Sequence, residues 1–112
     1  MKILITDPIS DSGLTLINKS GIEVIYKKNV NNEEIRKLIS DVDGWIVRSG
    51  TNVNKSLINS GNNLKVIGRA GVGIDNIDLN ASTLRGILVM NTPDGNTISA
   101  AEHTMAMMSC LA

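Results

Sequence analysis

Five short apolar runs recur along the chain, separated by segments with helical spacing. They are Lys2-Ile3-Leu4-Ile5-Thr6-Asp7, Ile22-Glu23-Val24-Ile25-Tyr26, Gly44-Trp45-Ile46-Val47, Lys65-Val66-Ile67-Gly68 and Ile87-Leu88-Val89-Met90. A strand with one face in water alternates apolar and polar residues, whereas these runs are nearly continuous and must be covered on both faces. Parallel neighbours cannot be joined by a tight turn and need a crossover, normally a helix. Strand and helix alternating five times over therefore predict an α/β fold with an open, mostly parallel sheet.

The intervening segments supply the helices. One is expected from about Ser10 to Gly21, with Leu14, Leu16 and Ile17 apolar and Gly13 weakening it by about 1 kcal/mol relative to alanine. Asn31 reads as a cap, with Glu33 and Glu34 in the first turn and Ile35, Leu38 and Ile39 as the apolar stripe. Asn54 caps a short helix bearing Leu57 and Ile58 and closed by Gly61; Asp78 caps another from Leu79 to Leu84, ended by Arg85-Gly86. The expected architecture is flavodoxin-like, five parallel strands with helices on both faces. A last helix, Thr97 to Ala112, departs from the pattern, because Ile98, Ala100, Ala101, Met105 to Met108, Cys110 and Leu111 leave it almost no polar face. A helix apolar all round must be surrounded by protein, so the chain is expected to be a piece of something longer.

Composition narrows the function. Eleven basic and eleven acidic side chains in 112 residues argue against nucleic-acid or membrane-surface binding, which usually need a basic excess. A single cysteine, Cys110, excludes an internal disulfide, no metal-ligand spacing exists, and Ile3-Leu4-Ile5 is too short for a signal-peptide core. No run approaches membrane-spanning length. A cytoplasmic setting is expected.

In open parallel sheets, ligands bind beyond the carboxyl ends of the strands. Polar and glycine residues gather at those ends: Asp7, Arg48-Ser49, Arg69 to Gly73, and Asn91 to Asn96. Arg48 and Arg69 are planar charged forks suited to carboxylate or phosphate, and Ser49 adds a hydroxyl. Gly71 and Gly73 let a ligand approach backbone N–H groups that can form an anion-binding nest. The two arginines are expected to converge in one crevice that takes a small anion. The competing readings are a plain βα turn for 71–73 and a structural ion pair for Arg48. Gly71-Val72-Gly73-Ile74-Asp75-Asn76 has two glycines of the dinucleotide fingerprint but Asn76 where the third belongs, and the acidic residue about twenty positions on is missing.

Other reactive residues read as structural. Arg85 suits a helix C-terminus. Glu102 and His103 are adjacent, and neighbouring helical residues point about 100° apart, so they form no acid–base pair. Ser99 to Glu102 reads as a capping box, His103 as an interior residue, and Cys110 as buried.

Val47-Arg48-Ser49, Gly68 to Asp78, and Val89 to Thr104 follow in order and spacing a known pattern, and the chain resembles the D-2-hydroxyacid dehydrogenase family over its whole length. The resemblance implies a substrate-binding domain over residues 1–96. A crossover helix over 97–112 would lead to a nucleotide-binding domain outside the chain. It implies that Arg48 and Arg69 bind the anionic groups of a small substrate, with Ser49 and Asn96 beside them. The Gly71–Gly73 loop would close over substrate, and Val72 would touch the nicotinamide end of an NAD cofactor held mainly by the other domain. The family's catalytic histidine, glutamate and arginine have no counterpart among these 112 residues, and His103 does not correspond to that histidine. The isolated chain is therefore expected to be inactive, and the whole enzyme to be a homo-oligomer.

Two other classes share the βα rhythm. A phospho-acceptor signalling domain needs clustered acids at the first strand's exit and an aspartate at the third's, where this chain has only Asp7 and then Arg48. A stand-alone small-anion-binding module is the third.

Overall fold

Trp45 marks the centre of the fold: it is fully buried, flanked on both sides by strands, and its indole N–H reaches toward the carboxyl rim of the sheet. The computed structural model describes residues 2–8, 11–19, 21–28, 30–70, 76–92, 102–104 and 106–107. In chain order the elements are β1 (Lys2–Ile5), α1 (Asp11–Lys19), β2 (Glu23–Tyr26), α2 (Asn32–Ile39), β3 (Gly44–Val47), α3 (Lys55–Ser60), β4 (Val66–Ala70), α4 (Leu79–Leu84) and β5 (Leu88–Thr92). The sheet has the order β2-β1-β3-β4-β5 and every pairing is parallel. This is the expected flavodoxin-like arrangement, with its reversal of strand order beside β1.

Register sorts the strand residues between two apolar layers, because successive side chains point to opposite faces. Ile25, Leu4, Trp45, Ile67 and Val89 form one row across the sheet and pack with Ile35, Ile39, Leu57, Ile58 and Ala81 of α2, α3 and α4. The next row, Tyr26, Ile5, Ile46, Gly68 and Met90, faces the other way, where Ile17 and Leu14 of α1 and Met107 cover it. Both faces are covered, and the continuous apolar runs have their explanation.

The caps form as the sequence requires. Asn31, Asn54 and Asp78 each accept a backbone N–H three residues on, from Glu34, Leu57 and Ala81. Gly21 and Gly86 follow α1 and α4 with φ of 81° and 69°, the left-handed conformation that glycine adopts without strain. Gly61 closes α3 for a different reason: a Cβ there would lie 2.9 Å from the Cβ of Leu64.

Several boundaries differ from expectation. β1 stops at Ile5, which frees Thr6 and Asp7 for side-chain bonding at the rim. β4 does not stop at Gly68 but runs to Ala70, so Arg69 lies inside the sheet, paired with Val47 and Asn91. β5 continues through Asn91 to Thr92. Of the last helix, residues 102–104 and 106–107 are described and helical, and the rest of 97–112 lies outside the described residues, as does Cys110. His103 is exposed, against the expectation of an interior residue. Thr104 and Met107, three apart on one helix face, turn inward, and His103 lies at the border of that face, on the side of the exposed Glu102. Among the described residues, no helix is long and apolar enough to cross a membrane.

Candidate functional site

At the carboxyl rim, the chain leaving β3 makes a turn over residues 48–51. Its two predicted ligand-binding side chains, Arg48 and Ser49, are exposed, while Thr51 is buried. The turn is held from beneath by Asp7, which follows β1 and is only 6% exposed. One carboxylate oxygen of Asp7, Oδ2, accepts the backbone N–H of Arg48 at 2.7 Å and that of Thr51 at 3.0 Å. Burying a charge is unfavourable unless hydrogen bonds replace its hydration, and the turn's own amides do so here.

The carbonyls of the same two residues are held from the other side. The side-chain amide of Asn76 donates to the carbonyl of Arg48 at 2.7 Å and to that of Thr51 at 2.6 Å. Asn76 also ties the backbone: Val53 N–H donates to its carbonyl at 2.7 Å, Asp78 N–H donates to the Val53 carbonyl at 2.9 Å, and Val53 and Ile77 form an isolated parallel bridge. The loops after β3 and β4 are thus joined beyond the edge of the sheet.

A third attachment runs down into the core. Trp45 Nε1 donates to Thr6 Oγ1 at 3.1 Å, and that hydroxyl lies 2.8 Å from Thr51 Oγ1. Gly50 completes the packing: a Cβ there would sit 2.7 Å from Asp7 Oδ1. The Arg48 guanidinium extends along the rim, where Nη1 donates to the Pro8 carbonyl at 3.3 Å.

Arg69 leaves the neighbouring strand at the same rim but in a different setting. It is 8% exposed and shares the row of Val47, which packs in the layer beneath α2, α3 and α4. Arg48 comes one residue after that row, outside β3, and its guanidinium turns to the β1 exit. The expected pair is therefore an exposed arginine and a largely buried one. A cleft of about 230 Å³ opens where β1 and β3 part, walled by Asp7, Gly50, Thr51 and Asn32, and neither arginine lines it. Gly71, Val72, Gly73 and Asn96 lie outside the described residues.

Arg85 keeps its structural reading, in a form the sequence does not suggest. Its Nη1 and Nη2 donate to the carbonyls of Asn59 and Gly61 at 3.0 and 3.1 Å, so it serves the C-terminus of α3 as well as capping α4. Among the described residues, no three His, Cys, Asp or Glu side chains gather to hold a metal ion.

Sequence reasoning placed Asp7 at the rim without a role and saw Asn76 only as a departure from the third fingerprint glycine. Their shared target lies 41 residues from Asp7 and 28 from Asn76, counted to Arg48. No local pattern reports a contact at such separation.

The family model for the catalytic domain of D-isomer specific 2-hydroxyacid dehydrogenases matches residues 3–109. D-3-phosphoglycerate dehydrogenase of Archaeoglobus fulgidus is 48% identical over 108 residues, which are 96% of this chain and 20% of that protein. The Homo sapiens protein of the same name is 47% identical over 111 residues, 99% of this chain and 21% of its own length. Among solved structures, NAD+-bound 3-phosphoglycerate dehydrogenase of Entamoeba histolytica superposes with a TM-score of 0.76 and 35% identity, over 82% of this chain and 32% of that one. The chain spans about a fifth of the length of the curated relatives it matches.

Proposed function

Because the chain belongs to the family of D-isomer specific 2-hydroxyacid dehydrogenases, we propose that it is the substrate-binding part of an NAD-dependent D-3-phosphoglycerate dehydrogenase. The reaction of the whole enzyme is then the oxidation of 3-phosphoglycerate to 3-phosphohydroxypyruvate, the entry to serine synthesis. The names carried by relatives 45–48% identical to this chain support that substrate over other hydroxy acids.

The observation that carries the reading is the turn after β3, where an exposed guanidinium and the Ser49 hydroxyl stand on a backbone braced from two sides. A braced turn offers an anion a site whose ordering entropy is already spent. In this reading Arg48 and Ser49 bind one anionic group of the substrate, and Arg69 supplies positive charge from the adjacent strand. Asn96 and the backbone of Gly71 and Gly73 complete the enclosure, and Val72 contacts the cofactor. Residues 1–96 are the substrate-binding domain and 97–112 the crossover helix.

The stretch from Gly71 to Asn76 carries two glycines of the dinucleotide fingerprint with Asn76 in place of the third, and the Asn76 amide is engaged with the Arg48 and Thr51 carbonyls. NAD is accordingly assigned to a nucleotide-binding domain of the parent enzyme. This chain binds and orients the acid and supplies no base for the hydroxyl proton, so alone it turns nothing over. The parent enzyme is expected to be a cytoplasmic homo-oligomer.

The test is substitution in the full-length enzyme. A charge-assisted hydrogen bond contributes about 1.5–3 kcal/mol, so Arg48→Ala is expected to raise KM for 3-phosphoglycerate roughly ten- to a hundredfold. An unchanged KM refutes the assignment. NADH formation by the purified 112-residue chain refutes the claim that it is inactive alone.

A further inference from the structure

We infer that Asp7 and Asn76 are positioning residues for Arg48, acting on substrate affinity by holding the 48–51 turn in its binding conformation. The inference rests on the reading above, in which Arg48 contacts the substrate.

The geometry is reciprocal. A carboxylate only accepts hydrogen bonds, and Asp7 takes the N–H groups of Arg48 and Thr51. The amide nitrogen of Asn76 only donates, and it takes the two carbonyls of the same residues. Both peptide ends of one short turn are thereby satisfied by two side chains from other loops. Without them, the groups that orient Arg48 would bond water, and the turn would sample conformations that binding must then select against. Neither residue is placed to touch a ligand through the atoms that brace the turn, since these atoms already face its backbone. Their influence on a substrate passes through the side chains that the turn carries, Arg48 foremost and Ser49 beside it.

The polarity of the brace yields a signature that mere packing lacks. Asn76→Asp is nearly isosteric yet sets a carboxylate against two carbonyl oxygens. It should therefore disturb the turn more than Asn76→Ala, which deletes the contact. Asp7→Asn keeps an uncharged acceptor oxygen and should disturb it less than Asp7→Ala.

The experiment is a double-mutant cycle in the full-length enzyme, with 3-phosphoglycerate and NAD as substrates and circular dichroism as the check on folding. Asp7→Ala and Asn76→Asp are each expected to raise KM about five- to twentyfold, and Asp7→Asn less than Asp7→Ala. In the Arg48→Ala background each is expected to add clearly less than it does in the parent, because the main group they position is gone and only the Ser49 hydroxyl remains on the turn. Asp43→Asn serves as a stability control. Asp43 binds the Lys2 N–H and faces Lys65 at the amino end of β3, and its loss should leave KM unchanged. If Asp7→Ala does not fold, Asn76→Ala runs the same cycle. The inference is overturned if Arg48→Ala raises KM while the Asp7 and Asn76 variants leave it alone, or if their effects multiply with that of Arg48→Ala. An Arg48→Ala enzyme with normal KM instead refutes the substrate-binding reading and takes this inference with it.

Discussion

Gly50→Ala places a methyl group where the Asp7 carboxylate already sits. The ideal Cβ position lies 2.7 Å from Asp7 Oδ1, closer than real Cβ contacts allow, and 3.4 Å from its Cγ. Asp7 cannot step aside freely, because it is buried and its other oxygen holds Arg48 N–H at 2.7 Å and Thr51 N–H at 3.0 Å. Gly50 is not among the glycines with positive φ, so alanine is not excluded by backbone conformation and the effect is steric. Overpacking of this kind costs about 1–3 kcal/mol. Alanine returns about 0.4–1 kcal/mol by restricting the unfolded chain. The net expectation is a loss of about 1–2 kcal/mol, or on the order of 4–15 °C in Tm for a domain of this size. Urea denaturation of Gly50→Ala, Asp7→Ala and the double variant measures it. The double variant should be no less stable than Asp7→Ala alone, since removing the carboxylate removes the clash. Additive losses, or a single variant as stable as the parent, refute the account of Gly50.

Four further outcomes are expected. Thr6→Val deprives Trp45 Nε1 and Thr51 Oγ1 of their shared partner and should lower stability by about 1–3 kcal/mol in chemical denaturation, with Thr6→Ser close to the parent. Arg85→Met removes two bonds to the end of α3 and should cost about 1 kcal/mol, with enhanced amide exchange at the α3–β4 connection. Asn31→Ala deletes the α2 cap and should cost about 1 kcal/mol by the same measurement. Lys2 has its pKa raised above its ordinary 10.5, first by its hydrogen bond to Asp41, then by the charges of Asp41 and Glu23. A raised pKa contributes stability that is complete below 10.5 and is lost as pH rises through the folded value. Denaturation midpoints should therefore fall less between pH ~9 and pH ~11 in Asp41→Asn than in the parent, and an equal fall refutes the linkage.

The local chemistry of the chain is enough to read the sheet and its helices. Continuous apolar runs can be stable only when covered on both faces, and Asn31, Asn54 and Asp78 cap where their neighbours leave N–H groups bare. These signals act over a few residues, so they survive without knowledge of the fold. Strand ends are less legible, because a polar residue such as Arg69 or Asn91 continues a strand whenever the neighbouring strand offers it a partner.

The brace around Arg48 belongs to another order of information. Asp7, Asn76 and Thr6 are unremarkable in sequence, and each gains its role from a residue more than two dozen positions away. Parallel crossovers bring the exits of β1, β3 and β4 to one rim, and only that convergence lets a carboxylate and an amide grip the same two peptides. The same holds for the contrast between the two arginines. Their guanidinium groups are identical chemistry in the chain, and the register of β3 against β4 leaves one in solvent and puts the other among buried side chains.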